Sequence, residues 1–276
     1  MKKLKTFILI FICVCLFVSC QNKNNTTEVS QETKEAKEVK NKIKVGCMPL
    51  SEPIVEMYNK FLEDDGMKIE PVVFDGNHLP ATALADGSVD AVILNHKPWI
   101  ETFNKENNTN LVMPEPYLYY SMNALYSLKH DKVEDLKNGT IAVAGDPVNL
   151  DRALKLLDSV SLIKLKKKDE GFYTMVDIEE NTGNIKILET EITATARSYK
   201  DVDGMIAVAS VVKQAGFDHR DFLVEDPVNK DFPLGLIVQK KDKDADWLKK
   251  MHDCQGSKEF KEIFDKEYEG AYGLYE

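Results

Sequence analysis

The stretch Val89-Asp90-Ala91-Val92-Ile93-Leu94-Asn95-His96-Lys97-Pro98-Trp99 decides how the rest of the chain is read. Its first six residues are apolar except for Asp90, too continuous a run for a strand with one wet face. Such strands are covered on both sides, as in the sheets of α/β proteins. Immediately before it, residues 77–86 have helical spacing, with Leu79, Ala83 and Leu84 expected inward and Gly87 closing the helix. Further back lie a strand at 69–74, a helix at 54–64 with Ile54, Val55, Tyr58, Phe61 and Leu62 on one face, and a strand at 43–46. Strands and helices that alternate through short connections wind into a parallel sheet with helices on both faces. His96 then stands at the carboxyl end of the strand, where the cleft of a doubly wound lobe lies.

Working outward, the alternation begins again after Tyr126. A short helix at 133–136, a strand at 140–143, a helix at 149–158 behind the Asp146-Pro147 turn, a strand at 185–188 and a buried-type strand at 204–209 make a second α/β unit. A strand at 234–238 and amphipathic helices at 247–252 and 259–267 complete the chain. No repeat of 20 to 50 residues is visible, which excludes a solenoid. Two α/β lobes place a small-molecule site between them, at the carboxyl ends of strands.

Composition bounds the function. The chain has 276 residues, 43% hydrophobic and 30% charged, with net charge −10. Residues 1–19 hold Lys2, Lys3 and Lys5 and no acid, so their removal leaves −13. A surface this acidic repels phosphate backbones and excludes nucleic acid as the expected partner. Residues 1–5 form a positive segment, and an apolar run follows from Thr6 to Val18, ending at Ser19-Cys20. At roughly 13 residues the run falls short of the ~20 needed to span a bilayer, so an export signal cleaved after Ser19 is expected. Residues 21–42 are almost wholly Asn, Thr, Glu, Lys, Gln and Ser, too polar to bury a core, and read as a flexible tether with an r.m.s. span of about 25 Å. Cys47 and Cys254 remain in the body, either bridged or as two buried thiols.

Catalytic and metal constellations are lacking. The body carries no Gly-x-Ser-x-Gly, no Gly-rich phosphate loop, no His-Glu-x-x-His and no paired Cys-x-x-Cys. His78, His96, His130, His219 and His252 include no i, i+4 pair, so no metal, no cofactor and no enzyme activity are expected. Leu16-Phe17-Val18-Ser19-Cys20 resembles a bacterial lipoprotein signal, in which a cysteine after a small residue receives diacylglycerol; the usual leucine three residues before the cysteine is here Phe17. The stretch from Asp90 to Trp99 resembles the signature of the methionine-binding lipoprotein family of ABC importers, the NlpA or MetQ type. Further pieces follow in family order: Ala83-Leu84-Ala85-Asp86-Gly87-Ser88-Val89-Asp90-Ala91, Ala142-Val143-Ala144-Gly145-Asp146-Pro147-Val148-Asn149-Leu150-Asp151-Arg152-Ala153-Leu154, Ser161-Leu162-Ile163-Lys164-Leu165-Lys166, Gln214-Ala215-Gly216, Val224-Glu225-Asp226 and Gly235-Leu236-Ile237-Val238. The resemblance covers nearly all of residues 43–272.

It implies a two-lobed type 2 periplasmic-binding-protein fold, each lobe a doubly wound sheet with the ligand cleft between. Lobe 1 is expected to comprise 43–125 plus 232–276 and lobe 2 to comprise 126–231. It also implies a lipid-anchored envelope protein that delivers an amino acid to an ABC permease and its ATPase. The candidate ligand-binding residues are Phe74, His96, Trp99, Asn149, Arg152 and Arg197: by the resemblance Phe74, His96 and Asn149 occupy family ligand-shell positions and Arg197 matches a family arginine near the crossover. Arg152 suits a ligand carboxylate through its planar fork, or else pairs on the surface with Asp151 or Asp158; Arg197 faces the ligand or solvent. Trp99 and the tyrosines Tyr117, Tyr119, Tyr120 and Tyr126 either wall the pocket or fill a core. Two departures stand out. Phe74-Asp75-Gly76-Asn77 replaces the family's FSDY, and Ile206-Ala207-Val208-Ala209-Ser210-Val211-Val212 replaces VINGNYA, so two asparagines have become Val208 and Ser210. Each lost polar contact weakens methionine by about 1 to 3 kcal/mol. Either another solute binds, or the fold serves as a surface lipoprotein of the outer membrane in adhesion or as an antigen. For anchoring, Cys20→Ser should release the folded body from the membrane fraction, and unchanged detergent partitioning of that variant would contradict lipidation.

Overall fold

The computed structural model describes residues 40–275; the expected signal segment, Cys20 and nearly all of the expected tether lie outside the described residues. Lys42 already belongs to the first strand. The chain runs β1 (Lys42–Cys47), α1 (Glu52–Leu62), β2 (Lys68–Val73), α2 (Leu79–Asp86), β3 (Ala91–Val92), α3 (Lys97–Asn107), β4 (Leu111–Val112) and β5 (Tyr119–Ser121). It continues through β6 (Asn123–Tyr126), β7 (Thr140–Ala144), α4 (Pro147–Ser159), β8 (Lys164–Leu165), β9 (Ile178–Glu180), β10 (Lys186–Thr190), β11 (Gly204–Val208), α5 (Ala209–Gln214) and β12 (Val224–Glu225). It closes with β13 (Pro233–Leu234), β14 (Ile237–Gln239), α6 (Asp246–Gly256), α7 (Lys258–Tyr268) and β15 (Tyr272–Leu274).

Two five-stranded sheets carry the two lobes. In the first the order is β2-β1-β3-β14-β4, with β2, β1 and β3 parallel and β14 antiparallel to both neighbours. In the second it is β10-β7-β11-β6-β12, again three parallel strands followed by antiparallel ones. Both are doubly wound as the alternation requires. The apolar run that began the sequence reading sits centrally beside β1. Its ladder runs from the Asp90 N–H donated to Lys44 O at 2.8 Å through to the Ile93 N–H donated to Gly46 O at 3.1 Å.

Three local differences from the sequence reading have physical causes. Residues 123–125, placed there in lobe 1, pair antiparallel with β11 in the second sheet, so the chain passes between the lobes at Met122. The expected strand 234–238 divides at Gly235, which passes close to the Leu118 backbone. Leu234 pairs with Tyr119 in a small sheet ordered β13-β5-β15, whereas Ile237 and Val238 pair with β3. Leu79, expected inward, is the first residue of α2, lies over Gly76 and is 37% exposed.

The first lobe's core is aromatic. Tyr58, Tyr119, Phe260 and Phe264 are fully buried, and Phe264 packs within 4.8 to 6.5 Å, centroid to centroid, of Phe260, Tyr119, Tyr268 and Tyr272. Cys47 and Cys254 lie in this core as free thiols, and burial pushes both up to about 12. Tyr119 and Tyr126 are core residues, while Tyr117 and Tyr120 pack edge-on against Tyr275. The second core is aliphatic, built from Leu125, Ile141, Val143, Leu154, Leu157 and their neighbours. Phe264→Ala should therefore cost about 3–5 kcal/mol in urea unfolding, whereas Leu79→Ala should cost well under about 1 kcal/mol. Equal costs would contradict this placement of the core.

Candidate functional site

Two helix starts converge between the lobes. At the end of β3 the chain turns, and His96, in extended conformation, caps α3: its Nδ1 accepts the Trp99 N–H at 3.1 Å. The proton of the neutral ring is thereby on Nε2, which donates to Asn149 Oδ1 at 3.3 Å. Asn149 belongs to the other lobe, in the first turn of α4. There Asp146 caps the helix, accepting the Asn149 N–H at 3.2 Å on one carboxylate oxygen and Asn149 Nδ2 at 2.8 Å on the other. Pro147 at the start of α4 lacks an N–H that would have no intrahelical partner there.

One turn further on, Arg152 is 3% exposed. Its Nε donates to Asp226 Oδ2 and its Nη2 to Asn229 Oδ1, both at 2.5 Å, and its guanidinium carbon lies 4.1 Å from the Phe232 ring centroid. The Phe232 ring also meets His96 edge-on at 5.0 Å. Asn229 Oδ1 in addition accepts the Asn123 N–H at 2.8 Å, and Asp226 Oδ2 accepts Asn123 Nδ2 at 3.3 Å. Arg152 thus clasps the segment that returns the chain from the second lobe to the first. It is not the surface arginine of the alternative sequence reading, and Asp151 pairs with Lys155 instead.

These groups line a small cavity of about 50 Å³ between the lobes. Met48, Leu50, Leu94, Ile192, Val208, Val211 and Leu234 make most of it apolar. Asn95, His96, Asn149, Arg152, Ser121 and Ser210 interrupt that surface. A neighbouring groove shares Asn77, Trp99 and Ile192 and carries Asp146, Glu189 and Glu191. Burial and then the Arg152 charge hold the His96 imidazole down at about 3, so it is neutral near pH 7. Burial first, and then the Glu191 charge, raise the Asp146 carboxyl above its ordinary value.

Of the residues singled out in the sequence, His96, Trp99, Asn149 and Arg152 meet at this cavity. Phe74 does not line it; its ring packs beside Gly46 in the first lobe. Arg197 lies exposed on the short turn Thr195–Ser198 and does not line it either. Sequence reasoning missed Asp226, Asn229 and Phe232. The Val224-Glu225-Asp226 motif was visible, but nothing in it shows that Asp226 faces Arg152 from 74 residues away. Among the described residues no group of three or more metal-type ligands forms, and no helix is long and apolar enough to cross a membrane.

The family model described as NlpA lipoprotein matches residues 43–273. The chain is 35% identical over 240 residues to the D-methionine-binding lipoprotein MetQ of Escherichia coli O157:H7, covering 84% of this chain and 87% of that one. It is 37% identical over 212 residues to outer membrane lipoprotein 1 of Mannheimia haemolytica, covering 74% and 75%. The fold superposes on the substrate binding protein of a methionine transporter from Streptococcus pneumoniae with a TM-score of 0.80 and 29% identity, covering 86% and 96%.

The depressed His96 gives a pH signature. Its folded-state value lies below the unfolded value of 6.5, so the unfolded chain binds the extra proton between pH 6.5 and about 3 and stability falls with pH across that window. The full shift corresponds to about 1.4 kcal/mol per pH unit; partial exposure of the ring reduces the expectation to about 1 kcal/mol per unit. His96→Asn keeps a capping side chain and should flatten this slope in urea unfolding between pH 6.5 and 5. Identical slopes would show that His96 titrates as it does in the unfolded chain.

Proposed function

We propose, from the premise that this chain belongs to the NlpA lipoprotein family, that it is the amino-acid receptor of an ABC importer, held at a membrane by lipid on Cys20. The observation that carries the reading is Arg152. Its Nε and Nη2 are committed to Asp226 and Asn229, and Nη1 remains for a ligand carboxylate inside an otherwise mostly apolar cavity. Asn149 Nδ2 has a second proton beyond the one given to Asp146. Asn95 Oδ1, buried without a hydrogen-bond partner, is an acceptor for an ammonium group. A carboxylate, an ammonium and an uncharged side chain match that set.

The same features favour retained solute binding over a fold kept only for adhesion or antigenic display, because a cavity with unfilled buried polar atoms is costly unless a ligand completes it. The methionine named for the two methionine-binding relatives supports an amino acid of that size. The lipoprotein names of the relatives support an envelope location. The permease and the ATPase are partners on the same reading, reached by the folded body through the tether.

An α-amino acid at 100 times its dissociation constant adds about 2.7 kcal/mol of stability, which for a body of this size raises Tm by about 5–10 °C. Arg152→Lys keeps the charge but cannot hold Asp226 and Asn229 and still offer a separate donor to the ligand, and should weaken that ligand by about ten- to a hundredfold in calorimetry. Because Arg152 also holds Asp226 and Asn229, the variant should be less stable without ligand as well. A screen of the common α-amino acids in which none shifts Tm would overturn the receptor reading.

A further inference from the structure

The clasp around Arg152 has a second side. Arg152 and Phe232 line the cavity between the lobes and also a larger pocket of about 480 Å³, so the two spaces share one wall. That volume falls within the range of small-molecule sites. Val148, Asp151, Lys155, Leu156 and Ser159, at helical spacing along one face of α4, make one side of the pocket. Pro227 and Val228 of the return segment, half-buried Phe172 and the α3 residue Pro98 make the rest. Pro98 belongs to the first lobe and α4 to the second, so an occupant touches both.

The walls are mostly apolar, and charge decides what suits them. Asp151 accepts Lys155 Nζ at 2.8 Å, and Asp226 holds Arg152. Asp231 favours the Arg152 charge from a distance, but it is exposed and forms no ion pair among the described residues. The lining thus sets three carboxylates, Asp151, Asp226 and Asp231, against the two cations Arg152 and Lys155, on a chain that is acidic throughout.

We propose that this pocket is a second ligand site, separate from the cavity between the lobes, for a small aralkyl amine whose ammonium group meets Asp231 while its aromatic body lies on Phe172, Leu156, Val148 and Val228. The proposal does not rest on the receptor reading. An ammonium group at the exposed carboxylate keeps part of its hydration, so no charge is buried alone. The aromatic body covers apolar side chains that otherwise face water. An anion of the same shape meets an excess of carboxylates and finds Lys155 already paired. A neutral analogue keeps the apolar contacts and loses the ion pair.

Ligand-detected NMR titration of the wild-type protein with phenethylamine, 2-phenylethanol and 3-phenylpropanoate tests this, with Asp231→Asn and Ser159→Trp as variants. Asp231 is exposed and Ser159 ends α4, so neither substitution should move the apo Tm appreciably. Phenethylamine should bind wild type about fivefold or more tightly than either analogue. Asp231→Asn should bring the three to within about twofold of one another, and Ser159→Trp, by filling the pocket, should weaken all three by about fivefold or more. Equal affinities for wild type, or no binding of phenethylamine, overturns the proposal. A preference for the amine that survives Asp231→Asn places the amine elsewhere and overturns it as well. A Tm shift caused by an amino acid concerns the cavity alone, so the receptor reading and this one fail independently.

Discussion

The buried pair of Arg152 with Asp226 is the contact on which the geometry between the lobes depends. It joins α4 of the second lobe to the segment that carries the chain back to the first, and Asn229 and Phe232 of the same segment complete the clasp. Removing one partner of such a pair leaves an uncompensated buried charge and costs about 3–5 kcal/mol. The arrangement has a functional consequence as well. Burial works against the guanidinium charge and Asp226 works to keep it, so the cation is held at the cavity by its bonds to Asp226 and Asn229. On the receptor reading proposed above, a ligand carboxylate would meet a donor whose rotamer entropy is already spent.

Around that clasp, each polar group at the cavity has two tasks. His96 caps α3 with one ring nitrogen and reaches Asn149 with the other, and Asn149 is itself ordered by the cap residue Asp146. Helix starts are where backbone donors lack partners, so capping side chains gather there, and the carboxyl ends of strands in both lobes deliver those starts to one place. The groups that a ligand would meet are therefore fixed by the same hydrogen bonds that begin the helices.

Most of the architecture was legible in the one-dimensional pattern. Apolar strands near 43–46, 89–94 and 204–209, helices closed by Gly87 or opened behind Asp146-Pro147, and the existence of a second α/β unit all follow from periodicity and from punctuating residues whose preferences act within one turn of chain. His96 and Arg152 were legible from their places at a strand end and a helix start, whereas Asn149 was singled out only through the resemblance to the family and Trp99 stood open between pocket wall and core. Residues 123–125 were misplaced because an antiparallel strand at a lobe boundary looks alike whichever sheet receives it, and Leu79 because the first residue of a helix has no preceding turn to bury it.

The sequence by itself determined that this is an acidic chain with two doubly wound α/β units and with His96 at a strand end. Those properties depend on charge, composition and local periodicity, which are additive along the chain. Only the tertiary structure decided that Arg152 is buried against Asp226 and Asn229, that Phe74 and Arg197 stay away from the cavity, and that Cys47 and Cys254 are free thiols in one core. Each of these is a contact between residues dozens of positions apart, set by how strands pair across sheets and how the chain crosses between lobes, and no local preference encodes such a pairing.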